Sequence, residues 1–170
     1  PLGLNGFSGI QTIIANTIRA IDDDGANESR VRQLNGHLWS PTYSRDGRIA
    51  FVHDAGGRGQ INIMNADGSG VVNVSNNTFC DRSPDWSPDG AKITFMSDRE
   101  GDWDIWVMND DGSGQRQVAG NPGLDRAPSW SPDGSRIAWE SHVTGMPNIW
   151  TCEADGQNSR PLIDPNPESP

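Results

Sequence analysis

Histidine, aspartate, arginine and cysteine are the side chains here that could move protons, hold an ion or meet a charged partner. The three histidines, His37, His53 and His142, lack the local spacing that puts two ligands on one metal, so no metal is assigned to them. Two Asp-Arg pairs, Asp81-Arg82 and Asp125-Arg126, recur one repeat apart, and Asp98-Arg99 forms a third. Such pairs either present a guanidinium to a polar partner or close a repeated ion pair within the fold. Cys80 and Cys152 make neither a CxxC nor a zinc spacing. A Gly-x-Ser-x-Gly elbow, a phosphate-binding glycine loop and a Cys/His couple are all missing, so no catalytic residue and no cofactor is assigned. The acidic turns Asp22-Asp-Asp-Gly25 and Asn109-Asp-Asp-Gly112 superficially resemble calcium loops, but they lack the bidentate Glu at the twelfth loop position.

Composition narrows the partners. The 170 residues carry 13 Lys and Arg against 23 Asp and Glu, a net charge of −10, which is the wrong sign for a nucleic-acid footprint. No apolar run approaches the about 18 residues of a spanning helix, so membrane insertion is not expected. With 20 Gly and 12 Pro, turns should be many. With 33% hydrophobic residues and 7 Trp, tryptophan must carry much of a lean core. The chain begins at Pro1 without a leader pattern and reads as a processed or excised piece.

These residues are positioned by a repeat. Asp-Gly pairs fall at 46–47, 89–90 and 133–134, and a second series at 24–25, 67–68, 111–112 and 155–156, a period of 43 to 44 residues with two turns per unit. Between them lie short alternating segments such as Lys92-Ile-Thr-Phe95 and Ile105-Trp-Val-Met108. Each unit therefore reads as four antiparallel strands, A to D, with A ending at Tyr43, Trp86 or Trp130. Ile105 and Val107 point to one side of their sheet and Trp106 and Met108 to the other. A sheet apolar on both faces must be sandwiched, and radially stacked sheets with a period in the low forties make a β-propeller. The expectation is an all-β propeller of four-stranded antiparallel blades: an incomplete N-terminal blade over 1–36, full blades over 37–78, 79–122 and 123–165, and a Pro-rich tail over 166–170. In the first unit, strand B is expected at Ile10–Ala15, C at Ile18–Ile21 and D near Arg30–Leu34.

The stretch from Trp86-Ser-Pro-Asp-Gly90 through Asn109-Asp-Asp-Gly-Ser-Gly114 resembles the blade repeat of the TolB-type propeller family, and the resemblance covers about residues 41 to 163. It implies a periplasmic or secreted propeller, in a family whose best-known member binds a protein partner. Closure as a four-bladed ring, assembly with an identical chain and membership of a larger propeller all remain open.

Antiparallel order puts the B–C and D–A loops at one end of the stack. That end collects His37, Trp39, Arg82, Asp98, Arg99, Arg126 and His142, which are the candidates for contact with a partner. Trp39 replaces the arginine of the other units and is an aromatic anchor in this reading; it and Trp103 break the repeat pattern and are expected to be exposed. The function expected is a non-enzymatic scaffold binding a protein, a peptide or an identical chain. The alternative is a propeller lyase or hydrolase acting on an acidic oligosaccharide.

Overall fold

The computed structural model describes residues 7–12, 17–22 and 28–162, which form fifteen strands and no helix. Accordingly, no helix among them is long and apolar enough to cross a membrane. The first sheet contains β1 (Phe7–Thr12), β2 (Thr17–Asp22) and β3 (Glu28–Gln33). The second contains β4 (His37–Tyr43), β5 (Ile49–Asp54), β6 (Gln60–Met64) and β7 (Val72–Asn73). The third contains β8 (Asp81–Trp86), β9 (Lys92–Ser97), β10 (Asp104–Asn109) and β11 (Arg116–Ala119). The fourth contains β12 (Asp125–Trp130), β13 (Arg136–Ser141), β14 (Asn148–Glu153) and β15 (Arg160–Pro161). Strands consecutive in sequence are neighbours in each sheet, so the fold is the expected all-β propeller of antiparallel blades. One boundary differs. β1 begins three residues earlier than the strand expected at Ile10, because pairing with β2 sets its register, with Ile10 opposite Ala20 and Thr12 opposite Ile18. Residues 13–15 of that expectation, residues 23–25 of the first acidic turn and the tail lie outside the described residues.

Strands β9 and β10 show why the sheets must stack. Ile93, Phe95, Trp106 and Met108 fill a cluster with Ala50, Val52 and Ile61 of the second sheet. On the other side, Met96, Ile105 and Val107 pack with Ile137, Trp139 and Cys152 of the fourth. Ile18 of the first sheet meets Leu38, Ile49, Phe51 and Met64 of the second. Each fully buried Ile or Phe contributes about 1.5–3 kcal/mol by leaving water, and alternation along a strand serves two interfaces at once. Cys152 is a core residue, its thiol pushed up to about 11 by burial, and both cysteines are free.

The Asp-Gly turns form as their chemistry requires. In Ser87-Pro-Asp-Gly90, the Gly90 N–H donates to the Ser87 carbonyl at 2.8 Å with Gly90 at φ 71°. The Asp89 carboxylate accepts from the Ser87 hydroxyl at 2.6 Å and from the Ala91 N–H at 3.0 Å, an Asx turn that restrains the hairpin. The second turn also docks on the sheet before it. Gly112 has φ 84°, and a Cβ there would overlap the Val74 carbonyl oxygen; Gly68 meets the Val31 carbonyl in the same way, while at Gly156 a Cβ would stay 3.3–3.4 Å from Val118. Polar staples cross between sheets as well. Arg48 donates to Asp110 at 2.8 Å and to the Gly90 carbonyl at 2.9 Å, and its guanidinium lies 4.8 Å over the Trp86 ring. Among the described residues extensive packing joins the first sheet to the second, the second to the third and the third to the fourth but not the first to the fourth, so these sheets stack as an open arc.

Candidate binding surface

The strands nearest the centre of the arc, β4, β8 and β12, each break register at one place, between Trp39 and Thr42, Arg82 and Asp85, and Arg126 and Ser129. The residue at the break has a left-handed backbone: Ser40 at φ 50°, Ser83 at 52° and Ala127 at 51°. All three precede proline, which supplies no N–H to the ladder and so suits a bulge. The left-handed geometry of a non-glycine residue costs about 1–2 kcal/mol, yet the fold accepts it three times. Each bulge re-aims the residues just before it, which are Trp39, Arg82 and Arg126.

The three side chains then diverge in role. The guanidinium of the exposed Arg82 lies 5.0 Å over the Trp103 ring, and Trp103 is itself half-buried. Arg126 is exposed and donates to Glu140 at 3.0 and 2.7 Å. His142 Nε2 lies 2.8 Å from the same Glu140 oxygen. Both neighbours hold the Glu140 carboxyl below its usual range, Arg126 first. Trp39, expected to stand exposed as an anchor, is half-buried and packs against the cluster between the second and third sheets. Its apolar ring lies over Gly59 and on that cluster, whereas the arginines at the matched bulges stay exposed.

The loop residues are drawn into the structure to different degrees. Asp98 accepts a hydrogen bond from the Cys80 N–H at 2.8 Å and so ties a B–C loop to the chain entering β8. Arg99, a neighbour of Asp98 in sequence, is almost wholly enclosed. Its guanidinium donates to Asp81 at 3.1 Å, Ser97 at 2.9 Å and Gln115 at 2.7 Å and stacks 4.2 Å from the Trp106 ring. His37 is exposed at the start of β4, while His53 Nε2 lies 2.7 Å from the Asn35 carbonyl oxygen. Among the described residues no three His, Cys, Asp or Glu side chains converge as metal ligands would. The structure thus brings together Arg126, Glu140 and His142, sets Arg82 on Trp103, and commits Arg99 to the interior.

Two carboxylates went unnoticed at the sequence level, Asp104 at this end and Asp85 near the A–B turn at the other. Asp104 opens β10, is nearly buried and accepts from Gln117 at 2.8 Å; burial, with Asp125, Asp102 and Glu100 nearby, pushes its carboxyl up to about 6. Asp85 accepts from the Trp130 N–H at 2.8 Å and the Ser129 hydroxyl at 3.1 Å, joining β8 to β12. Only their place beside the recurring Asp-Arg pairs could have hinted at either.

No curated protein sequence matches the chain significantly. The family profile of the TolB beta propeller domain matches residues 9–164. Among solved structures, TolB from Acinetobacter baumannii superposes with a TM-score of 0.81 at 22% identity, over 94% of this chain and 42% of that one. A protein from Agrobacterium tumefaciens assigned as TolB gives 0.79 at 22%, over 88% and 56%. An oligogalacturonate lyase in complex with manganese gives 0.66 at 18%, over 85% and 41%. The chain therefore spans between 42% and 56% of the length of the two TolB structures, and at such identities these are likenesses of fold.

Proposed function

The chain belongs to the TolB beta propeller domain family, and from that premise we propose that it is a non-enzymatic scaffold binding a protein or peptide at the end that carries the B–C and D–A loops. The observation that carries the proposal is the pair of exposed guanidinium groups, Arg82 on Trp103 and Arg126 on Glu140, presented at matched bulges on rigid strands. Arginine beside an aromatic ring is the chemistry of interface anchors. His37, Asp98 and His142 belong to the same proposed surface, and Trp39 and Arg99 pack into the sheets beneath that end. Relatives of this kind suggest a periplasmic or secreted setting. The open outer face of the fourth sheet, with Ile149 and Leu162 exposed, supports self-assembly or membership of a larger propeller. The lyase reading has less support, since His53 and His142 sit in separate hydrogen-bonding settings.

Affinity capture from a periplasmic extract tests the proposal, with the wild-type chain, an Arg82→Glu/Arg126→Glu variant and, as control, Arg45→Glu at a turn of the opposite end. A partner held by the wild type and the control but lost from the double variant is the expected result. A partner that all three retain would place the surface elsewhere.

A further inference from the structure

Arg48 fills a polar gap between the turns of the second and third sheets, and the next gap along the stack has no arginine to fill it. The Arg48 guanidinium donates to Asp46 at 2.9 Å, to Asp110 at 2.8 Å and to the Gly90 carbonyl at 2.9 Å, and it lies 4.8 Å over the Trp86 ring. One repeat later the matched positions hold Asp89 for Asp46, Ala154 for Asp110, Gly134 for Gly90 and Trp130 for Trp86, with Lys92 in place of Arg48 itself. Lys92 is exposed, and its ammonium donates at 2.9 Å to Asn109, its partner on the neighbouring strand of the same sheet.

These two exchanges leave room. A cavity of about 390 Å³, open to solvent, lies between the turns of the third and fourth sheets, and Asp89, Trp130, Gly134 and Ala154 all line it beside Lys92. Every group that Arg48 touches one unit earlier thus has its counterpart on this wall, and the volume falls within the about 300–1,000 Å³ of small-ligand sites. The lysine brings a smaller head group and spends it on Asn109, while the alanine gives up a carboxylate. Negative charge is nevertheless kept. Asp89 and Asp133 both line the cavity, and the hydroxyls of Ser87 and Ser131, with the turn N–H groups, hold their carboxyls below the usual range. Arg45 and Lys92 also line it but stand exposed, where water and salt screen their repulsion. The net charge of −10 draws cations toward the chain as a whole, and a flat indole favours a planar guanidinium over an ammonium.

We propose that this cavity receives the guanidinium group of an arginine side chain from a protein partner, stacked on Trp130 and donating to Asp89 and the Gly134 carbonyl. Arg48 makes the same contacts to the matched groups within the chain. The partner's arginine is read through its head group, because those contacts involve a side chain alone and none engages the charges of a free amino acid. The site lies at the end that carries the A–B and C–D turns, opposite the Arg82 and Arg126 surface, and it stands or falls independently of that surface.

The probe is arginine capped as its N-acetyl amide, titrated into the intact chain while the Gly134 and Ala154 amide signals are followed by NMR. Capped citrulline, neutral and of similar shape, and capped lysine serve as controls. Saturable shifts with a Kd at or below about 10 mM are expected, with both controls at least about tenfold weaker. Lys92→Arg should occupy the cavity from within and weaken capped arginine at least about tenfold, whereas Ala154→Asp, which restores the acid that Arg48 finds in Asp110, should tighten it at least about threefold. Absence of saturable shifts in the wild type overturns the proposal, as does equal affinity for capped arginine and capped citrulline. A Lys92→Arg or Ala154→Asp chain that folds and binds as the wild type does overturns it as well. Free L-arginine binding at least about tenfold more tightly than the capped form would overturn the protein source and assign the cavity to a small molecule.

Discussion

Asp85, half-buried, and Asp104, buried, are carboxylates at sheet boundaries, and their surroundings give them different consequences. Asp85 closes the Trp130 N–H, so Asp85→Ala leaves that buried donor unmet and should cost about 1–3 kcal/mol in urea unfolding. Asp85→Asn, which keeps an acceptor, should cost less. Asp104 has its carboxyl pushed up to about 6 in the folded chain, against about 3.9 when unfolded. Between about pH 4 and pH 6 the folded state holds the proton and the unfolded state has released it, so stability falls as pH rises through this window. Asp104→Asn should flatten that fall and add about 1 kcal/mol near pH 7, read from urea midpoints at several pH values. The turn aspartates act with the opposite sign. Asp133, held down to about 2 by Ser131 and Ser135, contributes stability that is lost as pH drops from about 4 toward 2. None of these environments was legible locally. Arg82 and Arg99 each follow an aspartate in the sequence, yet one is exposed and the other enclosed, because the enclosing groups arrive from other strands.

At the scale of elements the sequence was far more explicit. Asp-Gly turns, strand alternation and a 43 to 44 residue period specify hairpins through short-range chemistry, and the strands of the second to fourth sheets lie where the pattern puts them. The bulges in β4, β8 and β12 were not foreseen. Their cue, a proline inside an A strand after Ser40, Ser83 or Ala127, implies a broken ladder but does not say which way the preceding side chain turns. Trp39, which matched an exposed anchor by position, packs inward, while Arg82 and Arg126 at the same bulge stay exposed. The second turn of each unit also does more than reverse the chain. Gly112 combines a left-handed backbone with close approach to Val74, so Gly112→Ala should destabilise by about 1–3 kcal/mol. Gly101, also left-handed but with open space around it, should tolerate alanine at the lower end of that range, and a pairwise comparison of Tm separates packing from backbone cost.

For the whole molecule, the arc presents the outer face of the fourth sheet, where Ser129, Ile149 and Leu162 are exposed. The equivalent residues of the third sheet, Asp85, Ile105 and Val118, are covered by the fourth or tied to it. If identical chains assemble through this face, light scattering should give a concentration-dependent mass above 18.4 kDa, and Ile149→Glu should return it to that of one chain. The radial stack was legible from the two-sided apolar strands, whereas the open face was not, since it depends on which sheets meet.

The turn glycines that seat against the preceding sheet make each outer strand depend on the unit that follows. Val74 and Leu162 occupy the same place in their repeats and donate the same backbone hydrogen bond, Val74 to Ile61 at 2.9 Å and Leu162 to Ile149 at 2.7 Å. Gly112 presses on Val74, while among the described residues no turn presses on Leu162. Val74 is 5% exposed and Leu162 is 63% exposed. In deuterium exchange of the isolated chain, the Leu162 amide should therefore label at least about tenfold faster than that of Val74. Whatever next sheet or second chain seats on the arc would slow it, which makes one amide a readout of whether the propeller has been completed.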